Sequence, residues 1–169
     1  MESRVLSNET SPTAWLALGL KQQSLERETQ AISALERAIE LDPSLGEAWL
    51  GLSVSYTNDT NSYGVGRSVD AWVRLRLAEE SKYSQLNQRG YELSAESSRE
   101  RMNGLASILM EMARVDQETG SLDADLQMAL AVLFYTTEVS VFKSSRRSAK
   151  SWFCRIIPKR TTASTLPFR

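Results

Sequence analysis

The side chains best suited to chemistry in this sequence are hydrogen-bonding groups. The 169 residues include no histidine and a single cysteine, Cys154. This composition excludes histidine-based catalytic triads, an internal disulfide and a metal site built on paired cysteines. Thr57 and Asn58 stand out instead, near the end of the phrase GLSVSYTND. The carboxamide of Asn58 offers both a donor and an acceptor, so it can pair with the main chain of an extended peptide. We therefore expect a binding protein without cofactor or metal, not an enzyme.

The local sequence leaves a second interpretation of Asn58 open. Asparagine is common where helices end, so the residue type alone favours a side chain that caps or turns the end of its own helix. Which of the two roles Asn58 takes depends on the helices around it.

Two tryptophans define those elements. Trp15 and Trp49 lie 34 residues apart, in the similar phrases AWLALGL and AWLGLSV. This interval equals one tetratricopeptide repeat, which is a pair of antiparallel helices. Ser11 and Pro12 are suited to begin the first helix, and Pro43 must interrupt the second. The sequence therefore predicts an all-α protein built from stacked helical hairpins, an α-solenoid fragment.

The spacing within each repeat predicts how its helices pack. The missing side chain at Gly19 allows the second helix, with its stripe of Ala31, Leu35 and Ala38, to approach closely. The second repeat departs from this pattern at Trp72, where a small residue is usual. Its helices must spread or tilt to accommodate the indole. In such stacks, the first helix of each pair lines the concave surface.

Composition divides the chain into five segments. Asp123 is suited to cap a helix that would begin a further repeat. Ser97 with Glu100 forms a capping box at the start of an earlier, methionine-rich helix. That helix is interpreted as core packing, with a binding groove as the alternative. The predicted segments are a flexible leader (1–10), two repeats (11–78), a polar connector (79–96), a long helix with the first helix of a further repeat (97–142) and a basic, atypical tail (143–169).

No repeat-like partner follows the last predicted helix, so its apolar residues should keep an exposed side. These residues are Leu130, Leu133 and Phe134. Self-association or a partner protein would cover them.

Charge is distributed unevenly along the chain. Residues 143–169 carry eight basic side chains and no acidic one, which leaves 12 basic against 21 acidic residues before them. The tail is interpreted as a disordered or unrelated extension, with binding to anionic membranes or nucleic acid as the less favoured alternative. No apolar run approaches the roughly 20 residues that span a bilayer, and the start lacks a secretory signal, so we expect a cytoplasmic protein.

Three phrases carry a resemblance to a known family. AISALERAIELDP, GLSVSYTND and DADLQMALAVLFYTTE resemble the repeat domain of the peroxisomal targeting signal receptor. The resemblance implies recognition of C-terminal peptides of the Ser-Lys-Leu type, contact with peroxisomal docking proteins and shuttling to the peroxisomal membrane. It also implies peptide-binding roles for Val54, Thr57, Asn58 and Tyr135, and a truncated form of the receptor. The alternative is a generic repeat adaptor that joins other proteins.

Overall fold

The computed structural model describes residues 11–79, 81–88, 98–120 and 123–142. These ranges are helical and contain no strand, so the predicted all-α class is confirmed. Their elements are α1 (Pro12–Gln23), α2 (Glu28–Leu41), α3 (Gly46–Asn58), α4 (Ser62–Glu79), a 3₁₀ turn (Ser81–Tyr83), α5 (Ser84–Gln88), α6 (Ser98–Thr119) and α7 (Ala124–Phe142).

The chain divides into two compact units, Met1–Thr137 and Glu138–Arg169. In the second unit, the structure describes only the helical backbone of residues 138–142. The predicted leader, the basic tail and Ser97 of the predicted capping box lie outside the described residues.

The predicted start of the first hairpin is confirmed at atomic detail. Ser11 is the N-cap of α1, its side chain accepts a hydrogen bond from the backbone N–H of Ala14 at 3.4 Å, and Pro12 occupies the first turn. Proline fits there because the first helical N–H groups have no partner within the helix.

The turn between α2 and α3 is held by side chains as well as by proline. Asp42 ends α2, and its Oδ1 accepts hydrogen bonds from the N–H of Ser44 at 2.9 Å and from its hydroxyl at 2.6 Å. These hydrogen bonds lower the pKa of the Asp42 carboxyl. The indole N–H of Trp49 donates to the carbonyl of Pro43 at 2.9 Å. The repeated tryptophan therefore ties its own helix to the preceding turn.

Gly19 sits at the closest approach of α1 and α2. A Cβ atom built on Gly19 would lie 2.6 Å from the Cγ of Leu35, a side chain that is fully buried. Real carbon atoms do not come this close without displacement. The predicted role of Gly19 in close helix packing is confirmed.

We expect Gly19→Ala to destabilise the chain by about 1–2 kcal/mol, because overpacking against Leu35 exceeds the gain in helix propensity. Urea titration of the full chain measures this difference. Gly66→Ala in α4 is the matched control, since a Cβ there would lie 3.6 Å from Arg101 and 3.8 Å from Met102. The control should be neutral or stabilising by up to about 1 kcal/mol. If Gly19→Ala and Gly66→Ala stabilised the chain equally, the close approach of α1 and α2 at Gly19 would be contradicted.

The apolar core consists of two clusters, and α3 contributes to both. The first cluster joins α1, α2 and α3 around Leu35, and Ala48 and Leu52 of α3 complete it. The second cluster joins α4 to the later helices and includes Trp72, which is 1 % exposed. Because Leu50 of α3 belongs to this second cluster, α3 is packed from two sides and its position is well determined.

The segment predicted as a polar connector contains an unpredicted packed element. Tyr83 is fully buried, and its hydroxyl donates to the Oδ1 of Asp116 on α6 at 2.7 Å. Lys82 forms an ion pair with the same carboxylate at 2.8 Å, and the backbone N–H of Asp123 donates to its Oδ2 at 3.2 Å. The 3₁₀ turn is therefore bonded to α6, and the same carboxylate also bonds the residue that precedes α7.

The buried tyrosine gives the fold a pH dependence in the alkaline range. Burial raises the pKa of Tyr83 to about 12, and its hydrogen bond to Asp116 acts in the same direction. Because the folded pKa exceeds the unfolded value, stability from the protonated phenol is complete below about pH 10 and is lost as the pH rises toward 12.

We expect the free energy of unfolding to fall more steeply between about pH 10 and 12 in the native chain than in Tyr83→Phe. Denaturant titrations of both proteins across this range measure the difference. The difference between the two proteins isolates the contribution of the Tyr83 hydroxyl and the contacts it makes. If the free energy of unfolding fell equally steeply in both proteins, the conclusion that folding holds the Tyr83 phenol in its neutral form would be wrong.

The last described helix begins as predicted but packs differently. Asp123 precedes α7, and its Oδ1 accepts a hydrogen bond from the N–H of Asp125 at 2.9 Å, as a cap does. The prediction that Leu133 keeps an exposed side is wrong, because Leu133 is fully buried in the second core cluster. Within residues 124–137 of α7, the large exposed apolar side chains are Met128 and Tyr135.

Candidate functional site

Helix α3 positions the predicted site, and its other surfaces are already occupied. On the side facing α1, the Nε2 of Gln23 donates to the carbonyl of Gly51 at 3.0 Å and to the hydroxyl of Ser55 at 2.8 Å. On the side facing α2, the hydroxyl of Tyr56 donates to Glu36 at 2.6 Å. These bonds fix the rotation of α3 about its axis, and with it the direction of the remaining side chains.

Val54, Thr57 and Asn58 lie at spacings of three and four residues, so they share one side of α3. Val54 is half-buried against the second core cluster. Thr57 is also half-buried, and its hydroxyl donates to the carbonyl of Ser53 at 2.8 Å. Asn58 is exposed at the end of the helix. The structure therefore brings these three predicted residues together.

Asn58 does not cap its own helix in this structure. Asp59 occupies the C-cap position, while Asn58 is the last helical residue. The Nδ2 of Asn58 donates to the Oε1 of Glu28 on the neighbouring helix at 2.6 Å. The capping alternative left open by the sequence is therefore not the arrangement seen here.

Glu28 is the residue of this site that sequence reasoning missed. It is the first residue of α2, where a carboxylate is favoured by the positive end of the helix dipole. That position is the only signal in the sequence, and it indicates helix stabilisation rather than pairing with Asn58. The second carboxylate oxygen, Oε2, is buried and has no hydrogen-bond partner within the described residues. Among the described residues, the side-chain hydrogen bond that the Glu28 carboxylate accepts is therefore the one from Asn58.

The positions in the other repeats that correspond to Val54, Thr57 and Asn58 are less available for binding a peptide. The carboxamide of Gln23 is committed to α3, and the hydroxyl of Ser24 donates to the carbonyl of Lys21 at 2.8 Å. In the further repeat, Val132 is buried in the core, whereas Tyr135 is 61 % exposed. In the described part of the chain, no hydrogen bond joins Tyr135 to the side chains on α3. A role for Tyr135 stays a prediction.

A separate groove lies on a different side of α3. Its lining includes Trp49, Leu52 and Tyr56 of α3, with Glu36 of α2 and Arg67 of α4, and its volume is about 470 Å³. Burial raises the pKa of Tyr56 to about 12, and the hydrogen bond to Glu36 acts in the same direction. This groove combines aromatic side chains with both signs of charge, and sequence reasoning did not identify it.

The C-terminal end of α3 meets the N-terminal end of α2 beside Asn58. A helix C-terminus carries partial negative charge from its last carbonyl groups, and the last turn of α3 contains no basic residue to offset it. Glu28 adds a carboxylate beside Asn58. The positive end of the α2 dipole lies at the same place, because Glu28 is the first residue of α2, so the two helix ends offset one another there.

Neither a metal-ion cluster nor a membrane-spanning helix is present among the described residues. They contain no group of three or more acidic, histidine or cysteine side chains arranged to hold a metal ion. None of the helices in those ranges combines the length and the apolar character that crossing a bilayer requires.

Comparison with known proteins relates the chain to one class of receptor. The peroxisomal targeting signal receptor of Komagataella phaffii is 31% identical over 141 residues, which cover 81% of this chain and 23% of the receptor. The Candida albicans protein of that name is 30% identical over 141 residues, with the same coverage of both chains. The Saccharomyces cerevisiae protein is 28% identical over 151 residues, covering 86% of this chain and 24% of its own.

The chain thus spans about a quarter of the length of the curated relatives that it matches. No protein-family model matches it. The relatives are named as receptors, not as enzymes. Over 81% of its length, this chain is homologous to peroxisomal targeting signal receptors, and its helical fold agrees with that relationship, so the resemblance is confirmed.

Proposed function

We propose that this chain binds an extended C-terminal targeting peptide along the side of α3 that carries Val54, Thr57 and Asn58. The peptide would be of the Ser-Lys-Leu type, and the chain would act in the import of peroxisomal proteins from the cytoplasm. One observation carries the proposal most directly. The exposed carboxamide of Asn58 is held in a fixed position by Glu28 at the end of a well-packed helix.

The chemistry of the three side chains supports this proposal. Val54 supplies an apolar contact, while Thr57 and Asn58 supply polar atoms that can pair with a peptide main chain whatever its sequence. The surrounding bonds of α3 hold these groups before a ligand arrives. Pre-organisation of this kind lowers the entropic cost of binding.

A peptide titration tests the proposal. A labelled peptide ending in Ser-Lys-Leu should bind the native chain, and the same peptide with an amidated C-terminus should bind more weakly. Asn58→Ala should weaken binding of the free-acid peptide about five- to tenfold, the effect of losing one hydrogen bond of about 1 kcal/mol. Glu47→Ala, an exposed change in the first turn of α3, is the matched control and should leave binding unchanged. Equal binding of both peptides, or no binding of either, would contradict the proposal.

The alternative function is that of a repeat adaptor that joins other proteins without reading a chain terminus. The aromatic groove lined by Trp49 and Tyr56 favours it, because this surface is separate from Asn58. The groove also includes Tyr63 of α4, which is 61 % exposed. A pull-down from cell extract that survives Asn58→Ala and Thr57→Val but is lost with Tyr63→Ala would favour the adaptor.

The proposal includes two further partners, peroxisomal docking proteins and a second copy of this chain. Peroxisomal docking proteins would bring the loaded chain to the peroxisomal membrane, and a second copy would cover the exposed apolar side chains of α7. Met128 is 48 % exposed and Tyr135 61 %, and they lie seven residues apart on one side of the helix. A monomer at all concentrations in analytical ultracentrifugation would contradict self-association.

A further inference from the structure

We infer that the aromatic groove lined by α2, α3 and α4 is a second binding site, which takes an amphipathic segment of a partner protein. The segment presents one large apolar side chain to the groove, a basic residue to Glu36 of α2 and an acidic residue to Arg67 of α4. This site is separate from the proposed peptide site at Asn58 and does not depend on it. It specifies the chemistry of the partner that the adaptor alternative leaves open.

The shape of the groove is fixed by Tyr56. A Cβ atom built on Gly64 would lie 2.6 Å from the Cγ of Tyr56, so the backbone of α4 lies directly against this ring. The hydroxyl of the same tyrosine donates to Glu36 on α2 at 2.6 Å. One side chain of α3 therefore contacts both outer helices. The groove is held in shape before a partner arrives, which lowers the entropic cost of binding.

The interior of the groove suits a large apolar side chain. Ile39, Trp49 and Leu52 contribute carbon surface to its lining, and Tyr63 is 61 % exposed. The indole N–H of Trp49 is already donated to the carbonyl of Pro43, so Trp49 offers its ring. The volume of about 470 Å³ lies within the range of sites that bind ligands, about 300–1,000 Å³. Aromatic side chains are also the residues that most often anchor protein partners.

The two outer helices contribute charges of opposite sign to the lining. Arg67 of α4 is exposed, and within the described residues it forms no hydrogen bond or ion pair. On α2, Glu40 is paired with Arg37 at 2.8 Å. Glu36 accepts the hydroxyl proton of Tyr56, but it has no basic partner in the described ranges. Glu36 and Arg67 are therefore the charges available to a partner.

Neighbouring charges leave this arrangement intact. Asp70, which follows Arg67 on α4, is paired with Arg74 at 3.1 Å. Asp59 does not line the groove, and its effect on the pKa of Tyr56 is smaller than that of Arg67. At each turn that joins these helices, the C-terminal end of one helix meets the N-terminal end of the next, so their dipoles offset one another.

This combination selects the class of partner. An apolar centre between a carboxylate and a guanidinium matches an amphipathic segment that carries both signs of charge, because complementary charges attract and like charges repel across an interface. A segment with only acidic or only basic residues would meet repulsion from one of the two outer helices.

Capped, alanine-rich helical peptides test the inference with the full chain. The parent probe presents a lysine, a tryptophan and a glutamate at successive i, i+4 positions of one face. This probe should bind the native chain. Alanine in place of its tryptophan should weaken binding about tenfold, because the anchor is lost. Glutamine in place of its lysine or glutamate should weaken binding about two- to fivefold at low salt.

A charge exchange identifies the site. Arg67→Glu should weaken binding of the parent probe about fivefold, because attraction becomes repulsion. A probe with lysine in place of its glutamate should bind Arg67→Glu more tightly than the parent probe does, which also shows that this variant is folded. Lys21→Glu is the matched control. It makes the same change in net charge on an exposed residue of α1 outside the groove, and it should leave binding unchanged.

The result that would overturn the inference is no binding of the parent probe, or equal binding when its tryptophan is replaced by alanine. Equal weakening by Arg67→Glu and Lys21→Glu would also overturn it. Self-association of the native chain that Arg67→Glu abolishes, without binding of the probe, would assign the groove to a second copy of this chain and would overturn it as well.

Failure of this inference can be distinguished from failure of the proposed function. The Ser-Lys-Leu peptide is titrated into the same chains, and Arg67→Glu should leave its binding unchanged. Asn58→Ala should leave binding of the parent probe unchanged. Probe binding without Ser-Lys-Leu binding overturns the proposed function alone, and the reverse result overturns this inference alone.

Discussion

Replacement of Trp72 by alanine should lower the free energy of unfolding by about 4 kcal/mol, although alanine is the kind of residue that the repeat pattern favours at this position. Trp72 is 1 % exposed and belongs to the larger core cluster. The Arg76 guanidinium lies 5.4 Å from the centre of its ring, which adds a cation–π contact. Removal of the indole leaves a cavity that fixed neighbouring helices cannot close.

Chemical denaturation of the full chain measures this effect, and Tyr63→Ala provides the control on the same helix. Tyr63 is 61 % exposed, so its loss should change stability by no more than about 0.5 kcal/mol. Similar effects of the two substitutions would mean that Trp72 is not a core residue.

Asp116→Ala should destabilise the chain by about 3 kcal/mol, because it removes one buried carboxylate that pairs with three polar groups. The hydroxyl of Tyr83, the amine of Lys82 and the N–H of Asp123 all contact this carboxylate. Tyr83 is fully buried, so its hydroxyl would lose the acceptor for its proton without gaining water in its place.

The readout for Asp116→Ala combines denaturation with hydrogen exchange. Residues 81–88 and the start of α7 should exchange faster, because the carboxylate joins them to α6. The control is Glu111→Ala, which breaks an exposed ion pair with Arg114 on the same helix and should cost less than about 0.5 kcal/mol. Unchanged exchange of residues 81–88 in Asp116→Ala would contradict the role of this carboxylate.

Features set by local sequence were predictable. Ser11 with Pro12 starts α1, Asp42 with Pro43 ends α2, and Gly19 marks the close approach of the first hairpin. Each depends on the steric or hydrogen-bonding properties of one or two adjacent residues. The period of the tryptophans then indicates how the hairpins follow one another.

Features that depend on distant partners were not predictable. Tyr83 lies in a polar stretch, and its partner Asp116 is 33 residues away, so neither position indicates a buried hydrogen bond. The apolar residues of α7 show a helical stripe, but the stripe alone cannot tell that Leu133 is buried.

The candidate site divides in the same way. The position of Thr57 and Asn58 at the end of a repeat helix follows from the repeat register. The direction in which Asn58 presents its carboxamide does not, because it depends on Glu28, 30 residues earlier in the chain. The orientation of a polar side chain required its three-dimensional neighbours.

The most direct test of the proposed binding surface is a nuclear magnetic resonance titration of the full chain with the Ser-Lys-Leu peptide. We predict that the largest shift changes occur at Val54, Thr57 and the side-chain amide of Asn58. Changes confined to the groove around Trp49, Tyr56 and Tyr63, with Thr57 and Asn58 unaffected, would contradict peptide binding on this side of α3.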